Sequence, residues 1–268
     1  MNFAPLFSGS SGNAVYVASE STHLLVDAGL SGARIARELE NLGLRADALA
    51  GILITHEHAD HIAGVGVMSR RYDLPVYATE GTWRAMAAQL GKMAEKNVRV
   101  LREKAPFCVG DIAISPFPLS HDAADPVGYA LSAGGARIAI ATDTGEIRDS
   151  WLRYCEGADL VLLESNYDPA MLQAGPYPYP LKRRILGRQG HLSNDDAGRA
   201  AARLIASGVR RLVLGHLSRE NNFPELALRA VQDALREAGL HAAVDIARRD
   251  GATGLYTLRE ELCAKIGG

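Results

Sequence analysis

The 268-residue sequence predicts an α/β fold in a single domain, residues 1–268. Three observations predict it. Short runs rich in Val, Ile and Leu alternate with longer stretches of helical periodicity from end to end. The length suffices to bury a full core without disulfide or metal staples. A composition of 47% hydrophobic and 22% charged residues excludes disorder and fibrous repeats. No low-complexity linker or internal repeat divides the chain.

Taken in order, strands are expected at 15–18 and 24–26, followed by a helix at 33–42. A strand at 51–55, a helix at 62–71, a strand at 75–78 and a helix at 82–90 continue the alternation. Strands at 112–115, 137–142 and 159–164 come next, then a helix at 195–206 and a strand at 211–215. A helix at 224–238 and strands at 243–247 and 255–258 complete the series. Each strand is short, β-branched or Leu-rich, and bounded by Gly, Asp or Pro. Two helices have recognisable starts: Ser193 can cap a helix with Asp196 three residues on, and Pro224 suits a first helical position. Residues 175–190 lack a clean period; with three Pro, two Tyr and four basic residues they are expected to form an ordered surface loop with a function.

Charge narrows the range of partners. The 29 Lys and Arg against 31 Asp and Glu exclude a surface that is basic throughout, but leave room for one local basic patch. The three cysteines, Cys108, Cys155 and Cys263, are odd in number and far apart, which argues against a disulfide framework and against a thiolate zinc site. No Lys or Arg precedes Arg34, so a signal-peptide n-region is not expected. The longest apolar runs fall far short of the ~18 residues of a membrane span. A cytoplasmic setting without membrane contact is the expectation.

The strongest motif is Thr55-His56-Glu57-His58-Ala59-Asp60-His61, between a predicted strand and a predicted helix. Three of the eight histidines fall within these positions, against the alternative of a merely solvated βα loop. At strand spacing His56 and His58 point the same way, while Asp60 and His61 on the turn reach a second point nearby. Imidazole and carboxylate without thiolate suit Zn²⁺, Mn²⁺ or Fe²⁺. His121, Asp143 and His216 each follow an apolar run at a predicted strand end, where ligands of open α/β sheets gather. His23 and His241 have no such context.

This pattern resembles the metallo-β-lactamase superfamily, whose signature is H-x-H-x-D-H after a strand. Its further motifs occur in order at Asp27 in Leu-Val-Asp-Ala-Gly, His121 in Leu-Ser-His-Asp, Asp143 in Ala-Thr-Asp-Thr-Gly and His216 in Leu-Gly-His-Leu-Ser. The resemblance covers essentially the whole chain and implies a four-layer αββα sandwich. It implies that His56, His58 and His121 hold one metal, that Asp60, His61 and His216 hold a second, and that Asp143 bridges them. Asp27 would orient a ligand. Two divalent ions, Zn or Mn, would then share a water and lower its pKa toward neutrality, giving a hydroxide nucleophile.

Three features bear on substrate. Ser8-Gly9-Ser10-Ser11-Gly12-Asn13 reads either as a hairpin turn or as a backbone nest for phosphate, with Ser10, Ser11 and Asn13 as candidate contacts. His191, in Gly-His-Leu-Ser-Asn-Asp, stands beside a helix N-cap, as either a plain loop residue or a general acid near a bound phosphate. Lys182, Arg183, Arg184 and Arg188 form either a solvated charge run or, with Tyr177 or Tyr179 to stack on a base, a single-strand channel.

Ser-Gly-Ser-Ser-Gly-Asn, Glu164-Ser165-Asn166-Tyr167-Asp168, the stretch from Tyr179 to Gly187, Gly-His-Leu-Ser-Asn-Asp from Gly190, and His-Leu-Ser-x-x-Asn-Asn from His216 are together similar to the WalJ (YycJ) branch of the superfamily. That resemblance implies a metal-dependent exonuclease acting 5′ to 3′ on DNA, with a link to mismatch repair in some members. The branch often carries His where Tyr167 stands here. Glu164 and Asn166 could contribute to the site, and Asn221 and Asn222 could contact substrate or shape their loop.

The expected chemistry is in-line attack on phosphorus, with Asp60 among the catalytic groups and His191 protonating the leaving 3′-oxygen or steadying the phosphate. The alternatives are a metallo-hydrolase of a small cyclic phosphate, thioester or lactone, a metal-binding regulator without turnover, and a mono-iron redox enzyme. DNA is the expected partner, and an oligomer remains open.

Overall fold

The computed structural model describes residues 1–258, so Cys263 lies outside the described residues. Two seven-stranded sheets form the centre. The first contains β1 (Asn2–Phe7), β2 (Ala14–Ala18), β3 (His23–Val26), β4 (Gly51–Leu53), β5 (Val76–Thr79) and β6 (Val98–Leu101) in chain order. The second contains β7 (Phe107–Val109), β8 (Ile112–Pro118), β9 (Val127–Ala133), β10 (Ala136–Ala141), β11 (Leu160–Glu164), β12 (Arg211–Gly215) and β13 (Ala243–Ile246). A last short strand, β14 (Tyr256–Thr257), adds to the free edge of β1. In both sheets an antiparallel half gives way to a parallel half: β3 to β6 in the first, β10 to β13 in the second.

Helices α1 (Gly32–Asn41), α2 (Ala59–Ile62), α3 (Val65–Tyr72) and α4 (Glu80–Leu90) belong to the first half of the chain. Helices α5 (Asp149–Cys155), α6 (Pro169–Ala174), α7 (Tyr179–Ile185), α8 (Asn194–Ala206) and α9 (Pro224–Glu237) belong to the second. The period-two alternation of the strands builds three apolar layers between four structural ones. Leu24, Val26 and Leu53 face Ile138, Ile140, Leu162 and Val213 between the sheets. Leu25 and Ile52 point outward against Ile35, Leu39, Met68 and Met86 of α1, α3 and α4. Ala139, Val161, Leu163 and Leu212 point the other way, against Trp151, Ala201, Leu204 and Val231 of α5, α8 and α9. The α/β fold class and the four-layer αββα arrangement are therefore what the chain adopts.

Several elements differ from the sequence expectation. The helix expected at 62–71 is two, α2 and α3, because the Gly64 amide donates to Ala28 O at 2.7 Å and pins the break to the loop after β3. Residues 175–190 are not loop throughout: Pro178 and Pro180 frame the start of α7, where a missing amide hydrogen costs nothing. Strands β1, β6, β7 and β9 were not expected. In β9 the pattern is broken by Gly128, which lies where a Cβ would come within 2.3 Å of the Phe117 ring.

Candidate metal centre

The loops after β3, β4, β8, β10 and β12 all emerge at one edge of the sandwich, and the hairpin turn between β1 and β2 joins them there. Asp27, Asp143 and His216 stand directly after β3, at the exit of β10 and after β12, and all three have left-handed φ of 60°, 61° and 55°. Non-glycine residues rarely hold this conformation, and such strain gathers at functional sites. It turns three polar side chains sharply out of their strands into a common space.

The Thr55–His61 motif lies on the β4–α2 connection. Asp27 organises it: Oδ1 accepts from Thr55 N at 2.8 Å, while Oδ2 accepts from Thr55 Oγ1 and lies 2.8 Å from His61 Nδ1. With Nδ1 committed to Asp27, His61 presents Nε2 to the site, 3.6 Å from Asp60 Oδ2 and 3.5 Å from Asp143 Oδ2. Gly29 permits this arrangement, since a Cβ there would sit 1.6 Å from Asp60 O.

The structure brings together all seven residues expected as ligands. His56 Nε2 and His121 Nε2 lie 3.1 and 3.3 Å from His58 Nδ1, forming one three-imidazole group. Asp60, His61 and His216 form a second group, with His216 Nε2 3.6 Å from Asp60 Oδ2. Asp143 stands between them, with Oδ1 3.4 Å from His216 Nε2 and 3.8 Å from His121 Nε2. Asp143 Oδ2 and His216 Nε2 are buried without any hydrogen-bond partner. Orphaned polar atoms inside a protein are costly, so their convergence fits a bound cation. The nitrogen and oxygen donor set suits a divalent metal ion.

Electrostatics point the same way. Burial, reinforced by the neighbouring imidazoles, holds His56 well below its ordinary pKa and therefore neutral, the form that ligates. Burial opposes protonation of His61, yet Asp143, Asp27 and Asp60 outweigh it and carry the group up to about 9. His216 is raised in the same sense, against burial, by Asp143, Asp60 and Glu164. Asp60 stays well below the usual carboxylate range, because His61 and His216 overcome the burial that would raise it. The cluster's carboxylates thus draw positive charge to this point, whether as protons or as metal.

His191 joins the same space and lines a cleft of about 210 Å³ with His58, Asp60, His121, Asp143 and His216. Its Nδ1 lies 2.7 Å from Glu164 Oε1, the oxygen that also receives His216 Nδ1 at 3.0 Å. Among the candidate substrate contacts, Ser10, Asn166 and Arg184 line this cleft. Ser11 is exposed at the hairpin tip. Asn13 instead faces inward: Oδ1 accepts from Gly9 N at 3.0 Å, and Nδ2 sits 3.0 Å from His61 Nε2. Asn166 Nδ2 donates to His216 O at 2.8 Å.

The basic run divides three ways. Arg184 pairs with Asp122 in the cleft, Lys182 and Arg183 line a neighbouring groove, and Arg188 pairs with Glu146 at 2.9 Å. Asn222, buried, donates to Ser165 O, Asn166 O and Asn194 Oδ1, so it shapes the loops. Tyr167 is buried against Leu172 and Ile185, beneath α6 and α7. Sequence reasoning passed over Asp122, which lies 3.4 Å from His121 Nε2, and Thr55; each adjoins a motif histidine, which was the available signal.

A family model described as the beta-lactamase superfamily domain matches residues 22–217. The exodeoxyribonuclease YycJ of Bacillus anthracis is 42% identical over 239 residues, covering 89% of this chain and 90% of its own. The exodeoxyribonuclease WalJ of Streptococcus pneumoniae is 41% identical over 245 residues, 91% of each chain. Among solved structures, Zn²⁺-bound PqqB from Methylobacterium extorquens superposes with a TM-score of 0.70 at 19% identity, over 96% of this chain and 100% of its own. The metallo-beta-lactamase fold protein YhfI from Bacillus subtilis gives a TM-score of 0.69 at 18% identity, over 96% and 99%. Shared motifs, fold and identity along most of its length agree: the chain belongs to the beta-lactamase superfamily, in the family that includes YycJ and WalJ.

Proposed function

We propose that the protein is a metal-dependent exodeoxyribonuclease, one hydrolase domain that holds two divalent ions, zinc or manganese, and degrades a DNA strand from its 5′ end. The observation that carries the reading is the pair of three-residue donor groups joined at Asp143, whose Oδ2 is buried and unpartnered. The identity of about two-fifths with two exodeoxyribonucleases supports the choice of substrate. The free thiols of Cys108 and Cys155 accord with a cytoplasmic setting. Among the described residues no helix is long and apolar enough to cross a membrane.

In this reading His56, His58 and His121 would hold one ion and Asp60, His61 and His216 the other, with Asp143 available to both. Divalent ions there supply charge neutralisation for a phosphodiester and a water acidic enough to attack it near neutral pH. The chain supplies the rest. Glu164 fixes the His191 ring through Nδ1, which leaves Nε2 to hand a proton to the leaving 3′-oxygen. Arg184, restrained by Asp122, offers a guanidinium to the phosphate, and Ser10 and Asn166 border the same cleft.

The test is turnover of single- and double-stranded DNA and RNA, labelled at either end, beside a thioester and a lactone, with zinc- and manganese-loaded protein. Release of mononucleotides from the 5′ end of DNA is expected. Cleavage of the carbonyl substrates alone would overturn the reading.

A further inference from the structure

A second groove, of about 450 Å³, runs beside the metal cleft between α6 and α7. Its volume lies within the ~300–1,000 Å³ typical of ligand sites. Leu172, Tyr177, Tyr179, Lys182, Arg183 and Leu186 form most of its wall, and among the described residues no carboxylate lines it. Tyr177 lines both this groove and the metal cleft, so a ligand passing from one to the other crosses that ring. Tyr179 is 72% exposed and Leu186 is 59% exposed, apolar surface left open to solvent next to two cations. The Arg183 guanidinium stands 6.0 Å from the Tyr179 centroid.

The platform is stiff. Tyr167, Leu172 and Ile185 pack beneath it, Pro176, Pro178 and Pro180 restrict the backbone, and Lys182 Nζ donates to Gln173 O at 2.7 Å across the α6–α7 connection. Flat aromatic faces beside flexible cations are what a sequence-tolerant single-strand binder presents, with rings for the bases and ammonium or guanidinium for the phosphates. A duplex keeps its base faces stacked inside and cannot use such a surface.

We infer that this groove binds the unpaired bases of a single DNA strand, one to a few nucleotides from the phosphodiester held at the His/Asp cluster, with stacking on Tyr177 and Tyr179 and phosphate contacts from Lys182 and Arg183. The inference rests on the exodeoxyribonuclease reading and adds to it a preference for unpaired ends. It also divides the basic run, because Arg188 is turned away to Glu146.

The test is binding of fluorescent oligothymidylates with cleavage-resistant phosphorothioate linkages, from a dinucleotide to an octamer, to the intact metal-loaded protein. Wild-type affinity is expected to rise with length. Tyr179→Ala is expected to lose about tenfold on the octamer and far less on the dinucleotide, within the contribution of one base–aromatic stack. Tyr179→Phe, which keeps the ring, is expected to restore affinity. The Lys182→Ala/Arg183→Ala pair should flatten the salt dependence of octamer binding by roughly the ~0.7 per lost phosphate contact of single strands. Unchanged octamer affinity in Tyr179→Ala, or an equal loss on blunt duplex, would overturn the groove assignment while leaving DNA cleavage by the wild type intact. Failure of the wild type to bind or cut any DNA would overturn both.

Discussion

Oε1 of Glu164 lies 2.7 Å from Nδ1 of His191, and the carboxylate is wholly buried behind the imidazole. The contact fixes which ring nitrogen carries the proton toward Glu164 and orients the other. Removing the ring by His191→Ala is therefore expected to lower phosphodiester turnover by about 10²–10⁴-fold, the range for loss of a positioned acid. His191 does cluster with Asp143, Glu164 and His216, but its Nδ1 is held by Glu164 and the two three-residue groups assigned to the ions do not use it, so metal content by elemental analysis should be retained. Equal turnover in the variant would remove His191 from the mechanism.

Glu164→Gln probes the same contact from behind and should behave differently. Oε1 serves His191 and His216, and Oε2 accepts from Thr144 N at 2.9 Å and Leu192 N at 3.2 Å. An amide places its NH₂ against donors and leaves at least one of them unsatisfied inside the protein. Both His191 and His216 lose their orientation, so turnover and metal affinity should fall together, the latter by about 10–100-fold. A variant that loses turnover at full metal affinity would confine Glu164 to His191.

The His and Asp residues that cluster in the cleft were legible in the sequence because His is scarce elsewhere and the H-x-H-x-D-H spacing is rigid. Asp143 and His216 were weaker signals singly, since their left-handed backbone cannot be read from residue type. The functions of Thr55 and Asp122 were illegible for another reason, and Glu164 was legible as a contributor to the site but not as the anchor of His191 and His216. Their roles arise from contacts across the chain, such as Glu164 with Leu192 and Asp122 with Arg184, that no local pattern encodes. The same holds for the basic run. Its charge was plain, but only the helical turn of α7 decides that Arg184 faces the cleft, while Lys182 and Arg183 face the next groove.

Metal removal should be visible in stability as well as turnover. Without a cation, Asp60, Asp143, His61 and His216 crowd together, with Asp143 Oδ2 and His216 Nε2 unpartnered. A divalent ion binds the folded site and not the dispersed ligands of the unfolded chain. At an ion concentration about a hundredfold over Kd the gain is about 2.7 kcal/mol, or an increase in Tm of about 5–10 °C for a chain of this size. Thermal unfolding in chelator and in zinc or manganese checks this. Identical melting curves would mean that the cluster holds no ion.

Gly29→Ala tests whether the β3 loop truly fixes the metal-binding turn. The Asn13 amide donates to Asp60 O and the Ala28 amide donates to His61 O, both at 2.8 Å, so the two loops meet backbone to backbone at Gly29. An added methyl would sit 1.6 Å from Asp60 O, and no rotamer can relieve a clash with a carbonyl. The loops must part, which breaks these bonds and moves Asp60 and His61 away from Asp27 and Asp143. The overpacking cost is expected at about 2 kcal/mol or more, lowering the Tm of the metal-free protein by several degrees. Metal affinity should fall further than that stability loss alone predicts, because the displaced residues are the donors themselves. Titration with zinc, followed by calorimetry on the folded variant, separates the two effects. A folded variant with wild-type affinity would show that the metal-binding turn holds its shape without the Gly29 contact.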